Sequence, residues 1–156
     1  MASRQFVVFT IDEQEYGIEV LTVNGILRAK KFVIKTVPGM SETVEGIINL
    51  RGEIKYLYNL RSKFNLAKKP IPEEGKFIML NVNGSGMGWI VDEVTDIVKI
   101  DDENLEATPS GINAVGNNYV ESIGKFEERL IVILNPEKIV VPENFSDLAK
   151  MDSTEA

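Results

Sequence analysis

Any chemistry in this chain falls to carboxylates, lysines, arginines or tyrosines, because its 156 residues include no histidine and no cysteine. That removes Ser-His-Asp and Cys-His nucleophiles, thiolate redox chemistry, Cys/His zinc sites and phosphotransfer through histidine. An acid/base enzyme would need paired carboxylates, Lys or Tyr. The densest carboxylate stretch is Asp92, Glu93, Asp96, Asp101, Asp102, Glu103 and Glu106. It lacks the alternating ligands, central Gly and terminal bidentate Glu of a helix-loop-helix calcium site. It also lacks the alternating strands and helices that would make it a receiver-type phosphoacceptor. Glu127 and Glu128 are adjacent, and neighbours on a strand point to opposite faces. Asn83-Gly84-Ser85-Gly86 is not followed by Gly-Lys-Ser/Thr or by a helix, so it reads as a hairpin turn rather than a phosphate loop. Trp89 lies within an apolar strand and reads as core or seam. The most informative local motif is Asn49-Leu50-Arg51-Gly52, which puts a planar, permanently charged fork on a turn. Arg51 either faces a partner or pairs locally with Glu53 or Glu45.

The elements that position these groups repeat. Residues 6–27 lie over 77–98 without a gap: Phe6 meets Phe77, Gly17 meets Gly88, Val20 meets Val91, Val23 meets Val94 and Ile26 meets Ile97. Residues 54–59 lie over 130–135 after a small insertion. Two similar β-units follow, and the seam between such units is a natural binding site. Period-2 alternation predicts strands at 5–11, 16–20, 31–37, 46–50, 54–59, 76–82, 87–91, 94–100, 119–125 and 129–134. Val23, Ile26 and Leu27 fall at helical spacing, predicting a helical turn over 21–27. Short helical turns are also expected at 41–45 and 60–64, and a C-terminal helix at 142–151 with Pro142 at its start. Ala67 to Gly75, polar with two prolines, is the linker. The reading is an all-β fold of two small five-stranded barrels: one at 5–68, one at 76–141, strands free to cross at the seam, and a helix and tail at 142–156.

A chain with 44% hydrophobic and 26% charged residues is an ordinary soluble composition. No apolar run is long enough to span a bilayer, and the N-terminus shows no export pattern, so the cytoplasm is expected. The net charge of −7 is uneven. Residues 1–75 carry 11 Lys and Arg against 9 Asp and Glu, while residues 76–156 carry 6 against 15. No dominant basic face argues for nucleic acid. Patches of opposite sign suit the orientation of protein partners.

Several motifs together resemble the CheW family, the adaptors of bacterial and archaeal chemotaxis. They are the strand-turn-strand of residues 5–27 with Tyr16-Gly17-Ile18, Gly46-Ile47-Ile48-Asn49-Leu50-Arg51-Gly52, and Asn59-Leu60-Arg61-Ser62-Lys63-Phe64. Gly88-Trp89-Ile90-Val91-Asp92-Glu93-Val94 and Arg129-Leu130-Ile131-Val132-Ile133-Leu134 extend the likeness to about residues 5–141. The resemblance implies two SH3-like β-barrels. It implies a non-catalytic, cofactor-free scaffold in which one barrel binds the regulatory domain of the histidine kinase CheA. A groove at the seam would meet the cytoplasmic tip of methyl-accepting chemoreceptors. With no kinase, receiver or phosphotransfer segment the chain looks like the stand-alone adaptor, monomeric by itself, assembled in receptor arrays and without direct membrane insertion. By position, Val23, Gly46 and Arg51 match places the family uses for partner contact, with Ile26 beside them. Three departures stand out: Gly25 where an acid is common, Lys55-Tyr56 for an apolar-Pro pair, and Asn59 for Asp. The competing readings are a divergent β-barrel module for a small ligand or another signalling protein, and a carboxylate-based enzyme.

Overall fold

The computed structural model of the protein describes residues 2–107 and 119–139. The helix expected at 142–151 lies outside the described residues. Among the described residues, eleven strands form two sheets, of six and five strands. They are β1 (Ser3–Ile11), β2 (Gln14–Glu19), β3 (Val23–Arg28), β4 (Val44–Leu50), β5 (Glu53–Asn59), β6 (Lys76–Val82), β7 (Ser85–Val91), β8 (Glu93–Asp101), β9 (Leu105–Ala107), β10 (Val120–Phe126) and β11 (Arg129–Leu134). Among the described residues the α-helical segments are α1 (Leu60–Lys63) and α2 (Pro136–Ile139). The fold is all-β, as the alternation predicts.

The contiguous units of 5–68 and 76–141 are not the units of the sheets. The larger sheet runs β8-β1-β2-β11-β10-β9 and the smaller β3-β6-β7-β5-β4, so the first hairpin of each repeat joins the sheet of the other. The cause lies at the junctions. After β2 the chain makes a 3-10 turn over Val20–Thr22, in which the Thr22 hydroxyl donates to the Glu19 carbonyl at 2.8 Å. It leaves that sheet, and β3 then pairs antiparallel with β6. After β7 the Asp92 N–H donates to the Thr10 carbonyl at 3.0 Å, and β8 pairs with β1.

Alternation then sorts the side chains. In β1, Phe6 and Val8 point into a core with Val98, Ile100, Ile131 and Ile133, while Val7, Phe9 and Ile11 point into a second core between the sheets. In β6, Phe77 and Met79 join Ala29, Ile48 and Leu57, while Ile78, Leu80 and Val82 enter the core between the sheets. Each sheet curls round its own small core: an added Cβ at Gly124 in β10 would lie 2.8 Å from Ile100 in β8, although these strands are far apart in the sheet order. The core between the sheets is the largest and holds fully buried Trp89, in edge contact with Phe9 at 6.4 Å. Burying large apolar side chains contributes about 2 kcal/mol each, so this shared core binds the two sheets into one body.

Three expectations change, the first being the helical turn at 41–45, where a plain turn leads straight into β4 at Val44. The residues 23–28 form strand β3, not a helical turn. A bulge at Asn24 shifts the pairing, since Val23 faces Leu80 while Gly25 faces Met79. That extra residue converts strand alternation into a spacing that imitates a helix. Residues 31–37 are not a strand but touch β4 through one bridge, in which Lys35 and Ile47 exchange two 2.9 Å hydrogen bonds.

Candidate functional site

Two surfaces lie on either side of the β4–β5 hairpin. The first is a groove of about 300 Å³. Leu27, Leu50, Met79, Leu80 and Met87 form its floor, and Asn24, Gly25 and Arg51 lie on its rim. Arg51 sits at the tip of the hairpin with φ +53°, followed by Gly52 at +85°. Both central residues thus have the left-handed backbone that a two-residue hairpin requires. The Gly52 N–H donates to Asn49 Oδ1 at 2.9 Å, which pins the turn and aims Arg51 outward. Among the described residues Arg51 has no ion pair or side-chain hydrogen bond: Glu53 pairs with Lys55 at 3.1 Å, and Glu45 accepts from Asn59 Nδ2 at 3.1 Å.

The second surface, about 570 Å³, is lined by Lys31, Phe32, Val33, Lys35, Ile47, Asn49 and Ile54. Val33 is 80% exposed and Ile54 64%. Exposed branched aliphatics beside two lysines suit a partner with apolar and acidic groups.

The sequence-derived residues do not form a single cluster. Arg51 shares the groove with the bulged start of β3. Val23, at that start, is half-buried against the core between the sheets. Ile26, on the same strand, is 41% exposed. Gly46 is buried in β4, away from both Arg51 and β3, where an added Cβ would strike the Lys35 carbonyl oxygen and approach Ile34 Cγ2 to 2.7 Å. Its place is to let the 31–37 segment lie against β4, and so to shape the second surface.

Pattern reasoning missed the ionic joints. Arg61, read only as part of a motif, is buried and forked. Nη1 donates to Asp12 Oδ1 at 2.6 Å, and Nη2 donates to Asp92 Oδ1 and Oδ2 at 3.1 and 2.9 Å. Asp92 Oδ2 also accepts the Asp12 N–H at 2.9 Å. Burial opposes the Arg61 charge, but the bonds to Asp12 and Asp92 outweigh it and raise its pKa. The Arg61 hydrogen bond holds the Asp12 carboxyl below the usual range. Arg129 grips Glu15 at 2.6 Å and Asp96 at 2.9 Å, and its bond to Asp96 lowers that carboxyl's pKa. Asp92 and Asp96, members of the acidic run, are therefore ligands of arginines. Stacked Tyr16 and Phe64 at 5.0 Å, with Phe64 against Tyr119 at 5.4 Å, close the same side of the molecule. Among the described residues no cluster of three or more His, Cys, Asp or Glu could hold a metal ion, and no helix is long and apolar enough to cross a membrane.

A family model described as the CheW-like domain matches residues 5–143. The chain belongs to that family. The CheW chemotaxis protein of Bacillus subtilis is 31% identical over 140 residues, covering 90% of this chain and 88% of the relative. The CheW of Treponema pallidum is 27% identical over 151 residues, covering 94% and 88%. The crystal structure of the scaffolding protein TtCheW from Thermoanaerobacter tengcongensis superposes with a TM-score of 0.82 at 27% identity, covering 92% of this chain and 96% of that one.

The departures from the CheW pattern now have places. Gly25 leaves open space, with nothing within 4 Å of where a Cβ would stand. Lys55 turns to Glu53, and Tyr56 packs on the core between the sheets. Asn59 caps α1 by accepting the Arg61 N–H at 2.9 Å and, unlike an ionised aspartate, also donates to Glu45.

Proposed function

We propose that this member of the CheW family is a non-catalytic chemotaxis adaptor that couples the histidine kinase CheA to methyl-accepting receptors. The observation that carries the reading is the β4–β5 hairpin with a different surface on each side. Leu50, Arg51, Glu53 and Lys55 border the groove, while Ile47, Asn49 and Ile54 line the apolar-basic face. Two partners can then occupy one rigid element together, and a shift of either is felt by the other without chemistry in between. The groove at the β3 bulge, reaching Leu80 and Met87 of the core between the sheets, suits a receptor tip. The Val33–Ile54 face suits the regulatory domain of the kinase. The adaptor acts in the cytoplasm and reaches the membrane only through receptors.

Calorimetric titration with the CheA regulatory domain and, separately, with a receptor-tip fragment tests this. Saturable binding of both at once is expected. Val23→Asp should weaken receptor binding, and exposed Ile26→Asp should do so with less risk to the fold. Val33→Asp should weaken kinase binding alone. A folded protein that binds neither partner would overturn the proposal.

A further inference from the structure

We propose, independently of the adaptor reading, that Asn83 at the tip of the β6–β7 hairpin is a site of spontaneous covalent modification, at which the backbone nitrogen of Gly84 attacks the side-chain amide. The sequence holds two Asn-Gly pairs, Asn24-Gly25 and Asn83-Gly84. A glycine next in line leaves its nitrogen unshielded by a side chain. The fold treats the two pairs differently. Asn24 is the bulged residue of β3, between Val23 opposite Leu80 and Gly25 opposite Met79, so strand pairing holds it on both sides. Around Asn83 the ladder closes with Val82 opposite Ser85. That leaves Asn83 and Gly84 outside it as an exposed two-residue tip, at φ +51° and +84°. Nothing lies within 4 Å of where a Gly84 Cβ would stand. The Asn49, Asn59 and Asn135 carboxamide oxygens each accept a backbone N–H, at 2.9, 2.9 and 3.0 Å, and none of the three precedes glycine; the Asn83 carboxamide has no such bond among the described residues. A loop tip also opens at far lower cost than a paired strand.

In the reaction the Gly84 nitrogen gives up its proton and bonds to Asn83 Cγ. The bond from Cγ to the side-chain nitrogen breaks, and ammonia leaves with that proton. Water then opens the cyclic imide. Cleavage of the newly formed bond gives aspartate, and cleavage of the original peptide bond gives isoaspartate; no oxidant or cofactor enters. The products differ in effect. In the repeat Asn83 lies over Asp12, whose φ is also +51°, so aspartate fits this turn. Asp12, however, meets Arg61, whereas position 83 borders a cleft with Glu19, Glu121 and Glu137. Isoaspartate adds a methylene to the main chain of a tip whose length sets the register of β6 and β7. Those strands carry Met79, Leu80 and Met87 of the groove floor, so modification at the tip disturbs the surface that the adaptor presents.

The experiment incubates the full chain at mildly alkaline pH, folded and in urea, and follows it by peptide mass mapping and by methyl transfer from an isoaspartyl methyltransferase. In the folded protein a gain of about one dalton is expected at Asn83, at least about tenfold faster than at Asn24. In urea the two sites should converge. Asn83→Gln, whose longer side chain disfavours ring closure, should abolish the gain and keep the parent's circular dichroism; if that variant does not fold, the folded and urea samples of the parent decide alone. Asn83→Asp should melt near the parent, and the isoaspartate fraction of the aged parent, separated by chromatography, should melt lower. Conversion of Asn24 as fast as Asn83 in the folded protein overturns the proposal. So does an Asn83 that stays intact in the folded protein while the urea-unfolded chain converts. An isoaspartate fraction that melts with the parent overturns the disturbance of β6 and β7.

Discussion

Arg61 and Arg51 are the same residue type two strand-turns apart, and the structure uses them in opposite ways. Arg61 is enclosed by two carboxylates and the Ala67 carbonyl, and it ties α1, at the end of β5, to the β1–β2 turn and the start of β8. Removing it leaves Asp92 without its cation and Asp12 with only the longer, exposed contact to Lys69 Nζ at 3.4 Å. Arg61→Ala should therefore destabilise the protein by about 2 kcal/mol, below the cost at a fully buried pair because both carboxylates keep contact with water; a urea midpoint measures it. Asp12 and Asp96 have folded pKa values below the ordinary aspartate value of 3.8, held there by Arg61 and Arg129. Their contribution is fully present above that value, and it is lost as pH falls toward the folded pKa, where the unfolded chain has already taken up its protons. Tyr16, Tyr58 and Tyr119 are pushed above 10.0 by burial, so stability also falls as pH rises past that value. With no histidine, a melting temperature scanned by pH should show a broad plateau across neutrality between these flanks. A dip between pH 6 and 7 would contradict it.

At the scale of elements, the repeat is more faithful than sequence matching reveals. Gly17 and Gly88 sit opposite Ile133 and Leu57 in the two parallel pairings among the described residues. An added Cβ at Gly17 would stand 3.1 Å from Ile133 Cδ1, and at Gly88 2.7 Å from Leu57 Cδ2 and 2.8 Å from Met79 Sδ. Both glycines exist to let a core side chain cross the strand. Gly88→Ala should cost about 2 kcal/mol by overpacking, and Gly17→Ala less. Gly46→Ala, blocked by backbone, should cost at least as much as Gly88→Ala and selectively weaken binding to the Val33–Ile54 face; denaturation and titration of the same variants check both. Bulges repeat as well: Asn24 and Thr95 are skipped in β3 and β8, Glu45 and Glu121 in β4 and β10. The hairpins were legible because alternation and turn residues are local. The strand at 23–28 was not, because a bulge resets the phase of the pattern. The ionic joints were not, because Arg61 and Asp12 are far apart in sequence and carry no periodic signal. Of the candidate site, the Arg51 turn was legible from its motif. The open space at Gly25 and the structural place of Gly46 needed the folded neighbours.

For the whole molecule, the exchange of hairpins decides what counts as a foldable piece. Residues 1–70 lack the strands that flank β1–β2, and residues 75–156 lack those that flank β6–β7. Each fragment alone should be largely unstructured by circular dichroism, and an equimolar mixture should regain the strand spectrum. Independent folding of either fragment would contradict the sheet order. The shared core between the sheets makes the same point energetically, since neither half owns it.

The traded hairpins also bear on ancestry. A chain consisting of one repeat would have a hairpin with no sheet to enter and a sheet missing two strands. Two such chains could satisfy each other only by swapping, as a closed two-fold dimer. Joining two such partners in one chain would replace a diffusional encounter with a tether, the place that the 67–75 segment holds here. Once joined, the halves were released from self-complementarity. The first could turn basic and the second acidic, and one descendant hairpin, β4–β5, could acquire a cationic tip while its counterpart at β10–β11 carries glutamates. The asymmetry on which the proposed discrimination between partners would rest is thus a freedom that joining two copies confers.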